Sequence, residues 1–444
     1  MRHSTYLAAV LTIVLVLAGR SFGQSQPNPD NPKPDDKTTQ QTIVGGWRAD
    51  SLSMALDDGT RKSFSGADGL LSLVVSKKTF TLRAADKVLT DMSYALDAKQ
   101  DPCAIDLKSK DGAMLGICKL DGDRLRIGLN DESQGRPKDI NDGSCGLVLV
   151  LKRVATQPLW MINVDGANRH EFFSSAEYTN TGSPAWSPDG SKVAFDSTRT
   201  LFGENWNQSR IVVVDATSGA LKDLENGVQP SWSPDGKRIA FTGISGDLQG
   251  LCTMNADGSD VQQLVPNARW AKWSPTEDEL VYTQGTDLWL YDLKTEKHRA
   301  LIENGYRRMA NGFNWSPDGR WICFKGDSVT EGWHTAVIHR EGREKGFRAI
   351  LPTSTMPDII DSGCFLAWEK PEGKRILTQL STKECPNPQL YLLDAEGKAA
   401  PQPLAGLDPK RAFSNGTWSP DGKRIIFCVR PTERTMPMYY GAGP

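Results

Sequence analysis

A pentapeptide, Trp-Ser-Pro-Asp-Gly, recurs along the last two thirds of the chain and constrains the fold more than any other feature. Four copies are intact, two are degenerate, and successive copies begin 41 to 53 residues apart. A period of this size indicates a propeller or a solenoid, in which each repeat forms one structural unit. The repeats begin at Trp186, Trp232, Trp273, Trp315, Trp368 and Trp418.

Each repeat has the pattern of a small four-stranded sheet. A short strand ends at the tryptophan, and Pro-Asp-Gly then favours a tight turn, because proline presets φ and glycine adopts positive φ easily. A β-branched strand follows, such as Ile239 to Phe241, and two more strands complete the unit. Such a sheet cannot bury both faces alone. We therefore expect radial stacking, with each repeat tryptophan packed between neighbouring blades.

The two ends of the repeat region predict how the ring closes. The last repeat supplies only two strands, whereas 159–173 has the pattern of a strand pair with no tryptophan before it. We therefore expect 159–173 to pair with 416–430 and to complete a six-bladed β-propeller over 159–430. Closure would remove the open sheet edges that invite aggregation. Residues 431–444 would form a C-terminal tail.

The first 41 residues have the features of an export signal and a tether. An apolar run from Leu7 to Ala18 follows Arg2 and His3, and it is too short to span a bilayer comfortably. The pattern predicts a signal peptide over 1–23 and a periplasmic or secreted protein with no stable membrane span after cleavage. An uncleaved membrane anchor is the alternative. Residues 24–41 are polar and predict a disordered linker.

Residues 42–154 predict a separate all-β domain. Alternating runs such as Ala113 to Leu120 and Leu125 to Leu129 indicate strands, and Asp121-Gly122 between them indicates a hairpin turn. A domain of about 110 residues can bury its own core. A small antiparallel barrel is expected, since closure again hides the edges.

The repeats also carry a family resemblance. The string Trp-Ser-Pro-Asp-Gly-Lys-x-Ile-Ala-Phe runs from Trp232 to Phe241, and it resembles the blade signature of TolB-like propellers, a WD40-like (PD40) repeat family. The resemblance covers 159–430 and implies a docking platform in the cell envelope. Similar propellers also occur in peptidases and in a metal-dependent pectate-type lyase. The chain departs from TolB proteins in its first domain, which shows no α/β pattern.

The first domain resembles a lipocalin-like small domain of the planctomycete type. The residues that carry the resemblance include Gly46-Trp47, Asp101-Pro102, Gly116-Ile117-Cys118 and Arg136-Pro137. It implies a β-barrel in an exported protein, with room for a small ligand. It implies no chemistry.

Composition and motifs give no support to several function classes. The formal net charge is −2 and no long basic run occurs, so nothing indicates nucleic-acid binding. Gly-x-Ser-x-Gly, HExxH and phosphate-loop motifs are missing from the sequence, as is CxxC. We therefore predict no catalytic residue, no cofactor and no metal site. A disulfide between Cys364 and Cys385 is one alternative for these two cysteines. Buried, inert thiols are expected at Cys118, Cys252, Cys323 and Cys428.

The long insertions predict a binding face. They fall on the side of the propeller where the loops enter the first and third strands, and insertions gathered on one face often mark the binding face. Trp, Tyr and Arg concentrate binding energy at interfaces. The alternatives are tryptophans that cap blade ends and arginines that are merely solvated. The face would carry Arg199, Glu204, Trp206, Trp270, Tyr306, Arg307, Arg308, Trp333 and Asp361.

The leading hypothesis is therefore an exported, non-enzymatic binding or scaffold protein of the cell envelope, whose propeller face docks a protein or peptide. The alternative is a carbohydrate-active enzyme, a lyase or a hydrolase, with acids such as Glu204 and Asp361 in the propeller funnel. A third option is a small apolar ligand in the N-terminal barrel.

Overall fold

The computed structural model describes residues 43–430, apart from 57, 66–70, 85–86, 98, 111, 142, 200–205, 310–311, 331 and 353–358. It gives the backbone alone at 65, 206, 352 and 359–364. The signal peptide expected over 1–23, the linker over 24–41 and the tail over 431–444 lie outside these residues. Over the described ranges the chain is all-β, with four single-turn 3₁₀ helices at Glu132–Gln134, Trp206–Gln208, Gly246–Leu248 and Arg343–Lys345.

The chain forms two compact units. Apart from short segments, the first unit consists of the residues up to Ala155 and the second unit consists of the residues from Thr156. Within the described residues no helix is long and apolar enough to cross a membrane.

The first unit is a closed antiparallel barrel. Strand β9 pairs back onto β1, from Trp47 opposite Arg153 to Met54 opposite Leu147, so eight strands form a ring, and β2 adds to the second half of β1. This confirms the barrel expected from the alternating pattern. The strands are β1 (Gly45–Ala55), β2 (Arg61–Ser65), β3 (Leu71–Val75), β4 (Thr79–Ala84), β5 (Lys87–Asp97), β6 (Cys103–Ser109), β7 (Gly112–Asp121), β8 (Arg124–Asp131) and β9 (Leu147–Arg153).

Alternate residues of these strands fill the barrel interior. Trp47 and Phe80 are almost completely buried there. Arg136 ties β6 to β7, because its guanidinium donates to the carbonyl oxygen of Gly116 at 2.6 Å, to that of Ile105 at 3.3 Å and to the carboxylate of Asp106 at 2.6 Å. The barrel wall therefore depends on one arginine as well as on its apolar core.

The second unit is a six-bladed propeller, as the repeats predicted. Each Trp repeat begins a blade. Blade 1 comprises β12 (Tyr178–Trp186), β13 (Lys192–Arg199), β14 (Ser209–Asp215) and β15 (Leu221–Asn226). Blade 2 comprises β16 (Val228–Trp232), β17 (Arg238–Gly243), β18 (Gly250–Asn255) and β19 (Gln262–Pro266), and blade 3 comprises β20 (Arg269–Trp273), β21 (Glu279–Gln284), β22 (Asp287–Asp292) and β23 (Lys297–Ile302). Blade 4 comprises β24 (Tyr306–Met309), β25 (Asn314–Trp315), β26 (Trp321–Ser328), β27 (Gly332–His339) and β28 (Phe347–Pro352), and blade 5 comprises β29 (Ile359–Trp368), β30 (Arg375–Thr382), β31 (Gln389–Asp394) and β32 (Gln402–Pro403).

The sixth blade joins the two ends of the propeller. It consists of β33 (Ala412–Trp418) and β34 (Arg424–Arg430) from the last repeat, with β10 (Leu159–Asn163) and β11 (His170–Phe173) from before the first. β10 pairs with β34 from Leu159 opposite Cys428 to Asn163 opposite Arg424. The predicted closure of the ring by 159–173 is confirmed.

The Ser-Pro-Asp-Gly turns show why the repeat needs these residue types. In the four intact copies the serine hydroxyl donates to the aspartate carboxylate at 2.5 to 2.6 Å, and the glycine has a φ between 68° and 71°. The serine hydroxyl holds the pKa of Asp189 down to about 2, with the Ser191 amide and hydroxyl adding to the effect.

The repeat tryptophans are buried between blades and link them. All six have at most 7% of their surface exposed. The indole N–H of Trp232, Trp315 and Trp418 donates to a carbonyl of the preceding blade, at Ala185, Lys272 and Ala367 respectively. Arginines of the preceding blade stack on some of these rings, as Arg238 does on Trp273 at 4.7 Å and Arg424 on Trp186 at 5.3 Å.

The described cysteines form no disulfides. Cys385 forms no disulfide, and the side chain of Cys364, its predicted partner, lies outside the described residues. Cys118, Cys252, Cys323 and Cys428 are buried, and burial raises the pKa of each thiol above its usual range.

Candidate functional site

Blade 4 brings several of the predicted face residues together. Arg308 on β24 and Trp333 on β27 both lie opposite Asp327 of the intervening β26. Arg307 reaches the same carboxylate at 3.5 Å and donates to the carbonyl of Val329 at 2.9 Å. Three of the predicted residues therefore adjoin one aspartate, and one of them contacts its carboxylate.

This part of blade 4 presents a mixed cationic and apolar surface. Arg307 and Arg308 are exposed, and Val329 is 52% exposed, which is unusual for a large apolar side chain. Trp333 is half-buried, with the ammonium of the buried Lys325 at 5.1 Å from its ring. We call Arg307, Arg308, Val329 and Trp333 the blade-4 patch.

Tyr306 and Trp270 support this region from inside. Tyr306 is buried, packs edge-on against Phe324 and shares a 3.0 Å hydrogen bond with Nε2 of the buried His334. Trp270 is half-buried and packs against the same core cluster. Both residues contribute packing to blade 4, with the Tyr306 ring away from solvent.

Arg199 lies apart from the blade-4 patch, in blade 1. Its guanidinium and that of Arg210 both contact the Asp223 carboxylate, at 2.5 and 2.7 Å. The arrangement ties β13 and β14 to β15. Glu204 and the side chains of Trp206 and Asp361 lie outside the described residues, so their predicted positions on the face stay predictions.

The propeller axis holds a cavity of about 180 Å³. All six innermost strands line it, and so do the six repeat tryptophans. None of the predicted face residues whose side chains the structure describes lies in its wall. We call this space the axial cavity. Its polar wall residues include Ser183, Gln229, Ser231, Lys272, Asn314, Lys370, Asn415 and Thr417.

The inner strands bend at the cavity. Ser183, Gln229 and Asn415 each stand three residues before a repeat tryptophan, and each has a positive φ, of 46°, 58° and 54°. Non-glycine residues seldom adopt this conformation, and the strand register shifts at Gln229 and Asn415, as at a β-bulge. The bulges bring polar side chains to the cavity wall in an otherwise regular blade.

The neighbouring blades hold these bends in place. The carboxylate of Asp196, in blade 1, accepts the backbone N–H of Gln229 in blade 2 at 2.7 Å. The hydroxyl of Thr242, in blade 2, accepts the N–H of Trp270 in blade 3 at 2.9 Å. Both acceptors stand ten residues after a repeat tryptophan, so the same kind of hydrogen bond, from a backbone N–H to a side chain of the preceding blade, joins these successive blades.

A buried charge pair lies beside the cavity. Burial raises the pKa of Asp196 to about 6, against the effect of its hydrogen bonds and of Lys272. Burial also lowers the pKa of Lys272 to about 8, although Asp196 acts in the opposite direction. The Lys272 ammonium lies 3.4 Å from the carbonyl oxygen of Pro230. The two charges therefore offset each other in a poorly solvated wall.

The polar residues of the axial cavity were not among the sites predicted from the sequence. A signal was present, because aligning the six repeats on their tryptophans places Ser183, Gln229 and Asn415 at one position and shows Lys370 as an extra residue before Pro371 in the fifth repeat. Their convergence depends on radial stacking of all six inner strands. Among the described residues, no three His, Cys, Asp or Glu side chains are grouped so that they could hold a metal ion.

The architecture defines the class of the second unit: a closed β-propeller built from Trp-Ser-Pro-Asp-Gly repeats. A comparison with family models adds to this. Residues 155–349, fewer than half of the chain, match the family model described as the TolB beta propeller domain. No match was found among curated proteins.

Solved structures include similar propellers. A TolB structure from Agrobacterium tumefaciens is 17% identical, with 62% of this chain and 99% of that chain covered and a TM-score of 0.48. TolB from Acinetobacter baumannii is 17% identical, with 71% and 79% covered and a TM-score of 0.42. An oligogalacturonate lyase in complex with manganese is 14% identical, with 68% and 96% covered and a TM-score of 0.39.

Proposed function

We propose that the protein is an exported, non-enzymatic scaffold of the cell envelope, periplasmic or secreted, and that its propeller docks a protein or peptide. The match of residues 155–349 to the TolB beta propeller model supports a protein-binding platform in general. The observation that carries the docking site is the blade-4 patch, in which two exposed arginines adjoin an exposed valine and a half-buried tryptophan. Interfaces are enriched in arginine and tryptophan at their energetic centres.

The charge of the patch indicates the chemistry of its partner. Arg307 is engaged by Asp327 and by a backbone carbonyl, whereas no described residue pairs with Arg308. An acidic segment of a partner would form an ion pair with Arg308 and apolar contacts with Val329 and Trp333. Complementary charge at an interface mainly sets its specificity and the rate of association.

A site-specific crosslinking experiment tests this proposal. A photo-crosslinking amino acid at position 308 should capture one discrete partner in the envelope of expressing cells. The same amino acid at position 320 serves as the matched control, because Arg320 is equally an exposed arginine of blade 4 but belongs to its tight Asp-Gly turn.

The outcomes are distinct. A band that depends on position 308 and is weakened by Val329→Asp supports docking at the patch. The proposal fails if position 308 gives no adduct, or the same adducts as position 320. The carbohydrate-active alternative rests on Glu204 and Asp361, whose side chains the structure does not describe, and it gains no support from the described geometry.

A further inference from the structure

One wall residue of the axial cavity breaks the repeat. The fifth repeat has one extra residue before its proline, so Lys370 stands two residues after Trp368 and is followed by Pro371, whereas the other five repeats have proline at that position. Lys370 lines the cavity together with prolines of four other blades. The proline positions are Pro188, Pro234, Pro275, Pro317 and Pro420. The ring therefore contains a single cationic side chain among rigid apolar ones.

Lys370 has no counter-charge in the described structure. Its side chain is half-buried, and no described carboxylate or hydrogen-bond acceptor pairs with its ammonium. Burial lowers the pKa of Lys370, with no neighbouring anion acting to raise it. An ammonium that is partly desolvated and has no counter-charge would bind favourably an anion that reached it.

The wall carries one positive charge in excess. The charge of Lys272 is offset by Asp196, whereas that of Lys370 is not. A monoanion would neutralise the site. A phosphate dianion would leave a net negative charge in the cavity, so the balance favours a monoanion such as a carboxylate.

The rest of the wall suits the polar end of such a ligand. The side-chain oxygens of Gln229 and Asn415 are buried and have no hydrogen-bond partner among the described residues. Each of these amides can also turn its NH₂ group towards an acceptor. The hydroxyls of Ser231 and Thr417 belong to the same wall.

We propose that the axial cavity is a binding site for a carboxylate group, with Lys370 as its counter-charge. The volume of about 180 Å³ accommodates a carboxylate with a few carbon atoms, since one water occupies about 30 Å³ of liquid. The group can belong to a free small acid or to an acidic side chain of a bound peptide. The site is separate from docking at the blade-4 patch, because no patch residue lines the cavity.

Titrations of the full chain test the site with two probes. Sodium acetate represents a free acid, and the blocked peptide acetyl-Gly-Gly-Asp-amide represents a peptide side chain. Intrinsic tryptophan fluorescence reports binding, because all six repeat tryptophans line the cavity. Line broadening of ¹³C-acetate gives a second readout, and sodium chloride and sodium phosphate at equal ionic strength are the comparison anions.

Three variants locate the binding charge. Lys370→Met should weaken binding of the responding probe at least tenfold, and Lys370→Arg should stay within about threefold of the original protein. Lys374→Met is the matched control, because the Lys374 side chain is 76% exposed and pairs with Glu372. Unchanged urea-unfolding midpoints would show that the variants are folded.

Each result bears on the proposal. A Lys370-dependent response to acetate alone supports a free acid, a response to the peptide alone supports a peptide side chain, and a response to both supports the shared chemistry. The proposal is overturned if neither probe responds, if Lys370→Met binds like the original protein, or if chloride or phosphate binds as tightly as the carboxylates. Crosslinking at position 308 is independent of all these outcomes.

Discussion

Two repeat tryptophans of the propeller form a natural pair for measuring what the hydrogen bond between blades contributes. Trp418 is buried, and its indole N–H donates to the carbonyl oxygen of Ala367 at 3.1 Å. Trp273 is equally buried, but its indole nitrogen has no partner among the described residues. An arginine stacks on each ring, at 5.4 Å for Trp418 and 4.7 Å for Trp273. Substitution of either tryptophan by phenylalanine therefore removes similar packing, but only the substitution of Trp418 also removes a hydrogen bond.

The expected difference follows from the two environments. Both substitutions lose buried apolar area, which lowers the free energy of unfolding by roughly 1–3 kcal/mol in each case. Trp418→Phe also loses a hydrogen bond and leaves a buried carbonyl without this donor, which costs about 1–3 kcal/mol more. Trp273→Phe removes an unsatisfied N–H and so recovers part of its packing loss. Trp418→Phe should therefore be the more destabilising by about 2 kcal/mol.

Urea unfolding of the full chain, followed by near-UV circular dichroism, measures the difference. The free energy of unfolding is obtained by linear extrapolation, and similar slopes would show that the same surface is exposed. Trp232→Phe provides a check, because the Trp232 indole donates to Ala185 at 3.1 Å and should behave like Trp418. Equal losses for Trp418→Phe and Trp273→Phe, to within about 0.5 kcal/mol, would refute the role given to these bonds.

Three further perturbations have expected outcomes. Ile162→Asp should place an unpaired charge in the fully buried closing strand, lower the free energy of unfolding by more than about 4 kcal/mol and expose the propeller to limited proteolysis, whereas Asn163→Asp should not. Asp196 has a folded pKa of about 6 against an ordinary value of 3.8, so its contribution to stability is complete below about pH 3.8 and is lost as the pH rises through 6. Asp196→Asn should therefore abolish that part of the pH dependence between pH 4 and 7 in urea unfolding, and an unchanged profile would contradict the assignment. Arg136→Lys should destabilise the barrel by about 1–3 kcal/mol, because one ammonium cannot replace three guanidinium contacts, and hydrogen exchange in β6 and β7 should speed up if this is correct.

The architecture could be predicted because each blade is specified locally. Ser187 and Asp189 form their turn within five residues of chain, and the same turn recurs after Trp232, Trp315 and Trp418. The strand pair at 159–173 had no other partner of its kind in the sequence, so counting strands was enough to predict its pairing with β34. The barrel followed from alternation and hairpin turns in the same way.

The candidate sites were harder to predict than the fold, because the position of a residue in a loop does not determine whether its side chain is exposed. Tyr306 lies at a loop end in the sequence, but its ring fills the core beneath blade 4 and bonds to His334. Arg199 was grouped with the face by its insertion, but it contacts Asp223 on the outer strand of its own blade. Side-chain packing determined the positions of both residues, and the repeat pattern of the sequence contains no information about that packing.

The chain's own pattern determined the number of blades, the strand that closes the ring and the turns that begin each blade, since all three depend on residues close together in sequence or on a simple count. The tertiary structure alone decided what the blades enclose. Lys370, Gln229 and Asn415 come from three different blades and share one wall because the ring is closed. Closure of the ring makes the Lys370 charge and the unpaired amide oxygens available to a ligand, because radial stacking removes much of the solvent that would otherwise bind them.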